Sequence, residues 1–278
     1  MPATVWAAVV FWGLLWAGLC FGLCVGLWRA APRLLGWAAL ACVVHVYTLL
    51  LVPPWPVWVH WLGLQSVVRL REMAGYTSVN WVGKGVGVLC SLAWVYALRC
   101  TTPRAAGLVR PAPGAVRVVV GPVLVVAAGL LGEAYLSRYA FPSLTAGQHL
   151  YYLTLPGLDE ELFYRGALLG LLAPGLARTL PLPGTHTSWG GVVGVLLFTL
   201  GHGLGFPARL FDLGAGADFW FYVREWWSPA HFPLRIVLFQ LGMGTFFLWV
   251  RERTGSAWVA AAVHCFLNGC LALGHEAG

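Results

Sequence analysis

Long apolar stretches separated by short polar ones run the length of the chain. Eight such windows stand out, near residues 4–28, 34–52, 78–99, 115–136, 149–173, 188–206, 232–250 and 256–274. A helix of about 20 apolar residues crosses the roughly 30 Å hydrocarbon core of a bilayer, so each window predicts a spanning helix. Prolines punctuate the pattern. Pro53, Pro54 and Pro56 close the second window, Pro174 and Gly175 the fifth, and Pro181 with Pro183 marks the loop beyond it. Two connecting stretches are aromatic, 55-WPVWVHWLGL-64 and 219-FWFYVREWWSPAHF-232. Trp and Tyr settle at headgroup level, where an apolar ring and a polar N–H or O–H are both satisfied, so both stretches are expected to lie on the membrane surface. The pattern predicts an all-α polytopic membrane protein: about eight transmembrane helices, two interfacial aromatic-rich segments, and residues 1–278 as a single membrane domain.

Composition strengthens that expectation. Of 278 residues, 59% are hydrophobic and only 10% charged, whereas a soluble domain carries about 25% charged residues. The net charge of +7 comes almost entirely from arginine, with Lys84 the only lysine. In a membrane protein such an excess serves topology and anionic lipid, and no basic run points to nucleic acid. Arginines of the loops after odd-numbered spans, Arg251 and Arg253 among them, lean those loops toward the cytoplasm. The seven cysteines form neither a disulfide framework nor a Cys-x-x-Cys metal site and are expected to be small apolar helix residues. A chain rich in Ala, Gly, Leu and Arg with one lysine fits a GC-rich bacterial genome. The expected location is therefore the bacterial inner membrane.

The stretch 157-GLDEELFYRGALLG-170 breaks the apolar pattern. An Asp or Arg at the centre of a spanning helix costs roughly 2.5–3.5 kcal/mol. Asp159, Glu160, Glu161 and Arg165 must therefore face the bundle interior, water or one another. Glu161 and Arg165 are i,i+4 with the acid N-terminal, the favourable order for an ion pair. Glu160 points about 100° away around the helix, so Glu161 is expected to be neutralised locally while Glu160 stays unpaired. Asp159, nearest the start of the segment, is expected to be solvated. Two later spans carry matching polar groups. In 198-FTLGH-202, His202 lies one turn beyond Phe198, and in 264-HCFLN-268, His264 and Asn268 share a face. A carboxylate, two imidazoles and an amide suit hydrolysis of an acyl bond. A carboxylate and an imidazole can hold and deprotonate a water, and an imidazole and an amide can donate to an oxyanion. His45, alone in the second window, is expected to act as interhelical glue.

The motifs 160-EELFYR-165, 198-FTLGH-202 and 264-HCFLN-268, in that order on three late spans, resemble the CPBP family of intramembrane proteases, which includes the CAAX prenyl proteases. The stretch 249-WVRERTGSAWVAAAVH-264 is similar to the family's Arg-x-Gly-Ser-like turn before the last of these helices. The likeness covers about residues 150–272 as a catalytic core, with residues 1–148 as N-terminal helices. It implies that Glu160 is the general base, that His202 holds the same water, and that His264 and Asn268 form the oxyanion hole. Glu161, Arg165 and Phe198 would support the site structurally. It also implies a membrane-anchored protein or peptide as substrate, cut near the bilayer in C-terminal tail processing.

Three alternatives stay open at this level. Glu160, His202 and His264 are also a His₂Glu set for zinc, although the expected mechanism uses no cofactor. A proton-coupled carrier would use intramembrane acids and histidines as relays. A non-catalytic scaffold or immunity protein would keep the fold without the activity.

Overall fold

The computed structural model describes residues 32–50, 81–137, 144–203 and 234–277. The first expected span and both aromatic-rich segments lie outside these residues. Helices dominate. In chain order they are α1 (Pro32–Leu50), α2 (Trp81–Tyr96), α3 (Ala115–Ser137), α4 (Ala146–Tyr152), α5 (Leu155–Glu161), α6 (Leu169–Leu172), α7 (Trp189–Gly203), α8 (Leu234–Thr254) and α9 (Ala257–Ala277). A short antiparallel hairpin, β1 (Leu180–Leu182) with β2 (Thr185–Thr187), interrupts the otherwise helical architecture. It falls in the loop that Pro181 and Pro183 predicted, and Gly184 turns it at φ +65°.

Among the described residues two helices are long and apolar enough to cross a membrane, Ala115–Leu136 and Ala257–Gly274. Only 22% of the first window is buried, so its apolar side chains, Leu124 and Val125 among them, point outward, as on a lipid-facing helix. Shorter apolar helices cover Gly36–His45, Trp81–Tyr96 and Trp189–Thr199.

The fifth window, expected as one span over 149–173, is instead broken and wound three ways. Thr145 opens α4 with a capping box. Its hydroxyl accepts from the Gln148 N–H, while the Gln148 side chain accepts from the Thr145 N–H. The chain breaks after Tyr152. The Thr154 hydroxyl donates back to the Leu150 carbonyl at 2.5 Å, and Pro156 stands in the first turn of α5, where its missing N–H costs nothing. Beyond Glu161 the helix widens into a π turn over Leu162–Leu168, then tightens into α6 and a final 3₁₀ turn at Ala173–Gly175. Single π turns of this kind gather at functional sites.

Close backbone approaches set where these elements meet. A Cβ on Gly157 would stand 2.6 Å from Cys265 Sγ and 2.8 Å from the Cys265 nitrogen. Only glycine lets α5 cross α9 this closely, and the crossing brings His264 beside the acids of α5. A Cβ on Gly170 would be 2.8 Å from Ala106 Cα, which ties α6 to the α2–α3 connection. The core around them holds Leu162, Leu168, Leu171, Leu197, Phe198 and Phe247, all 1% exposed or less. Between α8 and α9 the chain turns at Gly255 (φ +70°), whose N–H donates to the Arg251 carbonyl at 2.8 Å. The Thr254 hydroxyl accepts from the Ser256 N–H at 3.3 Å, and Ser256 Oγ donates to the Val109 carbonyl at 2.8 Å. Cys42, Cys90, Cys100, Cys265 and Cys270 are free thiols.

Candidate active site

Four elements converge on the acids of α5. Glu160 is 5% exposed, and Glu161 and Asp159 are fully buried. The expected i,i+4 pair is present, with Arg165 Nη1 donating to Glu161 Oε1 at 3.0 Å. Arg165 also donates through Nη2 to the Gly244 carbonyl of α8 at 2.7 Å. The Phe198 ring lies against its guanidinium, 4.5 Å from the ring centroid. That is cation–π distance, and it locks α5, α7 and α8 around one cation.

The histidines of α7 and α9 arrive from opposite sides. His202 Nδ1 stands 2.9 Å from the Phe198 carbonyl. A carbonyl only accepts, so Nδ1 carries the hydrogen and Nε2 is left to face Glu160 Oε2 at 3.4 Å. His264 is stacked on Phe247, with centroids 4.2 Å apart and planes within 14°. Its Nδ1 is 2.9 Å from Glu161 Oε1, and its Nε2 is 3.9 Å from the same Glu160 Oε2. Glu160, His202, His264 and Asn268 line one cavity of about 320 Å³, together with Phe198 and Phe247. Its remaining wall is largely apolar, with Leu130 of α3, Met243 of α8, and Leu267 and Leu271 of α9. His202 is more open than Lys84, Glu160 or His264, its side chain 34% exposed.

Two expectations are overturned. Glu160 is not unpaired, because Lys84 Nζ of α2 sits 2.6 Å from its Oε1. Asp159 is not solvated. Its Oδ2 is 2.9 Å from the same ammonium and its Oδ1 is 3.7 Å from His45 Nδ1. The physical reason is shared. Burying three adjacent carboxylates needs more positive charge than Arg165 supplies, and the chain's one lysine provides it from a helix distant in sequence. The signal was visible in the sequence, since a lone lysine inside an apolar window is as costly as the acids themselves. His45 is buried and stacked on Phe163, centroids 3.8 Å apart and planes within 4°, so it packs α1 against the π turn.

A zinc ion held by Glu160, His202 and His264 would have to share Glu160 with the Lys84 ammonium. Among the described residues, no group of three or more His, Cys, Asp and Glu side chains is arranged to hold a metal ion. Glu160 Oε1 faces that ammonium, while His264 Nδ1 stands against Glu161, as the second nitrogen of a metal-bound histidine does, and leaves its Nε2 toward the cavity. A dication on Glu160 would bring two like charges to one carboxylate.

Residues 142–270 match the family described as type II CAAX prenyl endopeptidase Rce1-like. This part of the chain is similar to the CAAX prenyl endopeptidases. The matched stretch holds α4 to α8, most of α9 and nearly all the polar groups just described, and it is just under half of the 278 residues. The family is one of integral membrane proteases, which favours a protease over a carrier. No curated protein and no solved structure matches the chain. Lys84, on α2, lies outside the CAAX endopeptidase match.

Proposed function

We propose that the chain is an intramembrane endopeptidase in which Glu160 and His202 activate a water without a metal, while His264 and Asn268 receive the oxyanion. One observation carries this reading. A single carboxylate oxygen, Glu160 Oε2, closes no hydrogen bond with any described side chain, yet it faces the Nε2 atoms of both His202 and His264 across the cavity floor.

The steps follow from what each group can do. Neutral His202, with its hydrogen on Nδ1, presents a lone pair at Nε2 that accepts from water. Glu160 Oε2 takes the water's other proton as its oxygen bonds to the scissile carbonyl carbon. The carbonyl π pair moves onto oxygen, and the Asn268 amide and His264 Nε2 donate to it. The intermediate collapses, the C–N bond breaks, and the proton held by Glu160 passes to the departing amine. The buried charge count favours this division of labour. Asp159, Glu160 and Glu161 carry three negative charges against two on Lys84 and Arg165. For Nε2 to donate to the oxyanion while Nδ1 donates to Glu161, this reading requires His264 as imidazolium, whose charge would offset the third carboxylate. During attack Glu160 loses its charge as the carbonyl oxygen gains one, so the net charge within the bundle stays constant.

The reading extends to architecture and substrate. We take the catalytic core as residues 150–272, embedded with the 1–148 helices in one membrane domain of about eight spans in the bacterial inner membrane. The apolar wall formed by α3, α8 and α9 suits a membrane-anchored protein or peptide, cut near its C-terminal tail. The test compares membrane proteomes of strains carrying the wild-type and Glu160→Gln chains. Uncleaved tails should accumulate only in the second. Identical tails in both, with the variant folded and inserted, overturn the reading.

A further inference from the structure

Lys84 is the chain's only lysine, and it does not snorkel toward water. It is 8% exposed, on an otherwise apolar helix, with its ammonium between two carboxylates. The niche around it is built. One turn further along α2, a Cβ on Gly87 would come within 2.0 Å of Asp159 Oδ1 and 3.2 Å of Thr48 Oγ1. Asp159 therefore lies against bare α2 backbone, at a position that only glycine leaves clear. Its other oxygen holds Nζ at 2.9 Å. On its far side it meets His45 at 3.7 Å. Asp159 thus fixes where the ammonium stands, and the ammonium in turn takes one oxygen of Glu160.

That last contact matters for chemistry. The terminal torsion of a glutamate is broad and roughly two-fold, so a free carboxylate exchanges its oxygens and samples many tilts. A 2.6 Å charge-assisted bond from Lys84 to Oε1 picks one orientation. It turns Oε2 toward His202 and His264 and keeps the carboxylate out of a symmetrical pair with either imidazole.

We infer that Lys84 is a positioning residue of the active site: through Oε1 of Glu160 it aims Oε2 at the water-binding side, with Asp159 as its anchor. The active site then extends beyond the matched family segment into α2. The inference rests on Glu160 being the base. A lysine that only offset buried charge would leave the turnover of the folded enzyme unchanged once that charge was balanced another way.

The experiment uses the full chain purified in detergent. Its probe is a quenched-fluorescence peptide spanning the tail junction that accumulates in the Glu160→Gln strain. Lys84→Met, Lys84→Arg, Asp159→Asn and the double variant Lys84→Met/Asp159→Asn are compared for kcat, KM and thermal midpoint. The double variant removes one charge of each sign, which guards against simple misfolding of Lys84→Met. We expect the folded double variant to lose about 100-fold in kcat, the scale of a lost positioning or donor contact, with KM within about threefold. Lys84→Arg, which keeps a cation in reach of Oε1, should recover kcat to within about tenfold of wild type. A folded double variant with wild-type kcat overturns the inference. So does an equal collapse of kcat and folded fraction in all three lysine variants. If Glu160→Gln itself cleaves normally, the proposed mechanism fails first, and that result is distinct from either.

Discussion

Among the described residues two charged clusters are buried, and they are finished differently. At the hairpin end, Glu252 of α8 accepts from Thr187 Oγ1 at 3.0 Å on one oxygen. On the other it pairs with Arg178 at 2.6 Å and Arg251 at 3.2 Å. Arg251 then donates to the Ala105 carbonyl at 2.7 Å and to the Arg165 carbonyl at 3.3 Å, the latter inside the π turn. Neither Glu252 nor Arg251 keeps an unpartnered side-chain atom. At the candidate active site, Glu160 Oε2, Glu161 Oε2, both Asp159 oxygens and both His45 nitrogens close no hydrogen bond among the described residues. A buried polar network normally satisfies its members, and each exception asks for an explanation. The saturated cluster is a clasp that holds α8 and the hairpin to the π turn. The unsaturated one has capacity left for a reacting molecule.

The sharpest way to break this contrast is to remove a charge from each cluster and ask what is lost. Glu160→Gln should abolish turnover by about 10³-fold or more, ~4 kcal/mol of barrier, far beyond any loss of folded fraction. Lys84 keeps Asp159 as a counter-ion at 2.9 Å, which limits the cost of losing the Glu160 charge. Kinetics of the tail-junction peptide together with a melting curve decide the matter. A variant that melts early and turns over in proportion to its folded fraction would make the two clusters alike.

Arg251→Met should do the reverse. Removing one partner of a buried ion pair leaves the other uncompensated, at a cost of ~3 kcal/mol or more. Here the Ala105 and Arg165 carbonyls lose their donor as well. The expected result is a lower melting midpoint in detergent and less protein in the membrane, with kcat per folded molecule within about twofold of wild type. A large kcat defect in well-folded protein would mean that the clasp belongs to the active site.

The two clusters were also unequally legible in the sequence. The three motifs of the candidate site could be placed because helical spacing is local: Glu161 with Arg165, Phe198 with His202 and His264 with Asn268 each lie one turn apart. Their shared position inside apolar windows then demanded that they meet. Lys84 escaped because its partners lie on another helix, and nothing local tells which way α2 turns. Asp159 was misjudged for the same reason, since its burial depends on Gly87 of α2. Arg251 was counted among loop arginines that set topology, yet it is 6% exposed, because its span runs on to Thr254 and packs on the π turn. The π turn itself has no residue signature. The break before it was half visible, as Pro156 sits where a helix begins.

Gly87→Ala sharpens the contrast from within the catalytic cluster. The new methyl would meet a fully buried Asp159, already held by Lys84 and close to His45, so the carboxylate has to shift. If Asp159 acts only through Lys84, the loss is indirect. We expect about a tenfold drop in kcat at unchanged KM, smaller than for the lysine double variant. A wild-type rate would show that Asp159 can move without disturbing Glu160.

The smallest effect belongs to Arg178. It makes the shortest ion pair of the clasp, 2.6 Å to Glu252, and donates twice to the His186 carbonyl. Distance alone would make it the strongest contact there. Its side chain is 52% exposed, however, against 7% for Arg251. Water already solvates its charge in the unfolded and folded chain alike, so most of the Coulomb gain is offset. Arg178→Ala should therefore cost under ~1 kcal/mol, and salt should diminish the difference, since an exposed pair is screened within a Debye length. Arg251→Met should keep its full effect in salt. Melting both variants at low and high ionic strength separates them. Equal losses, or equal salt dependence, would mean that burial is not what divides the members of this cluster.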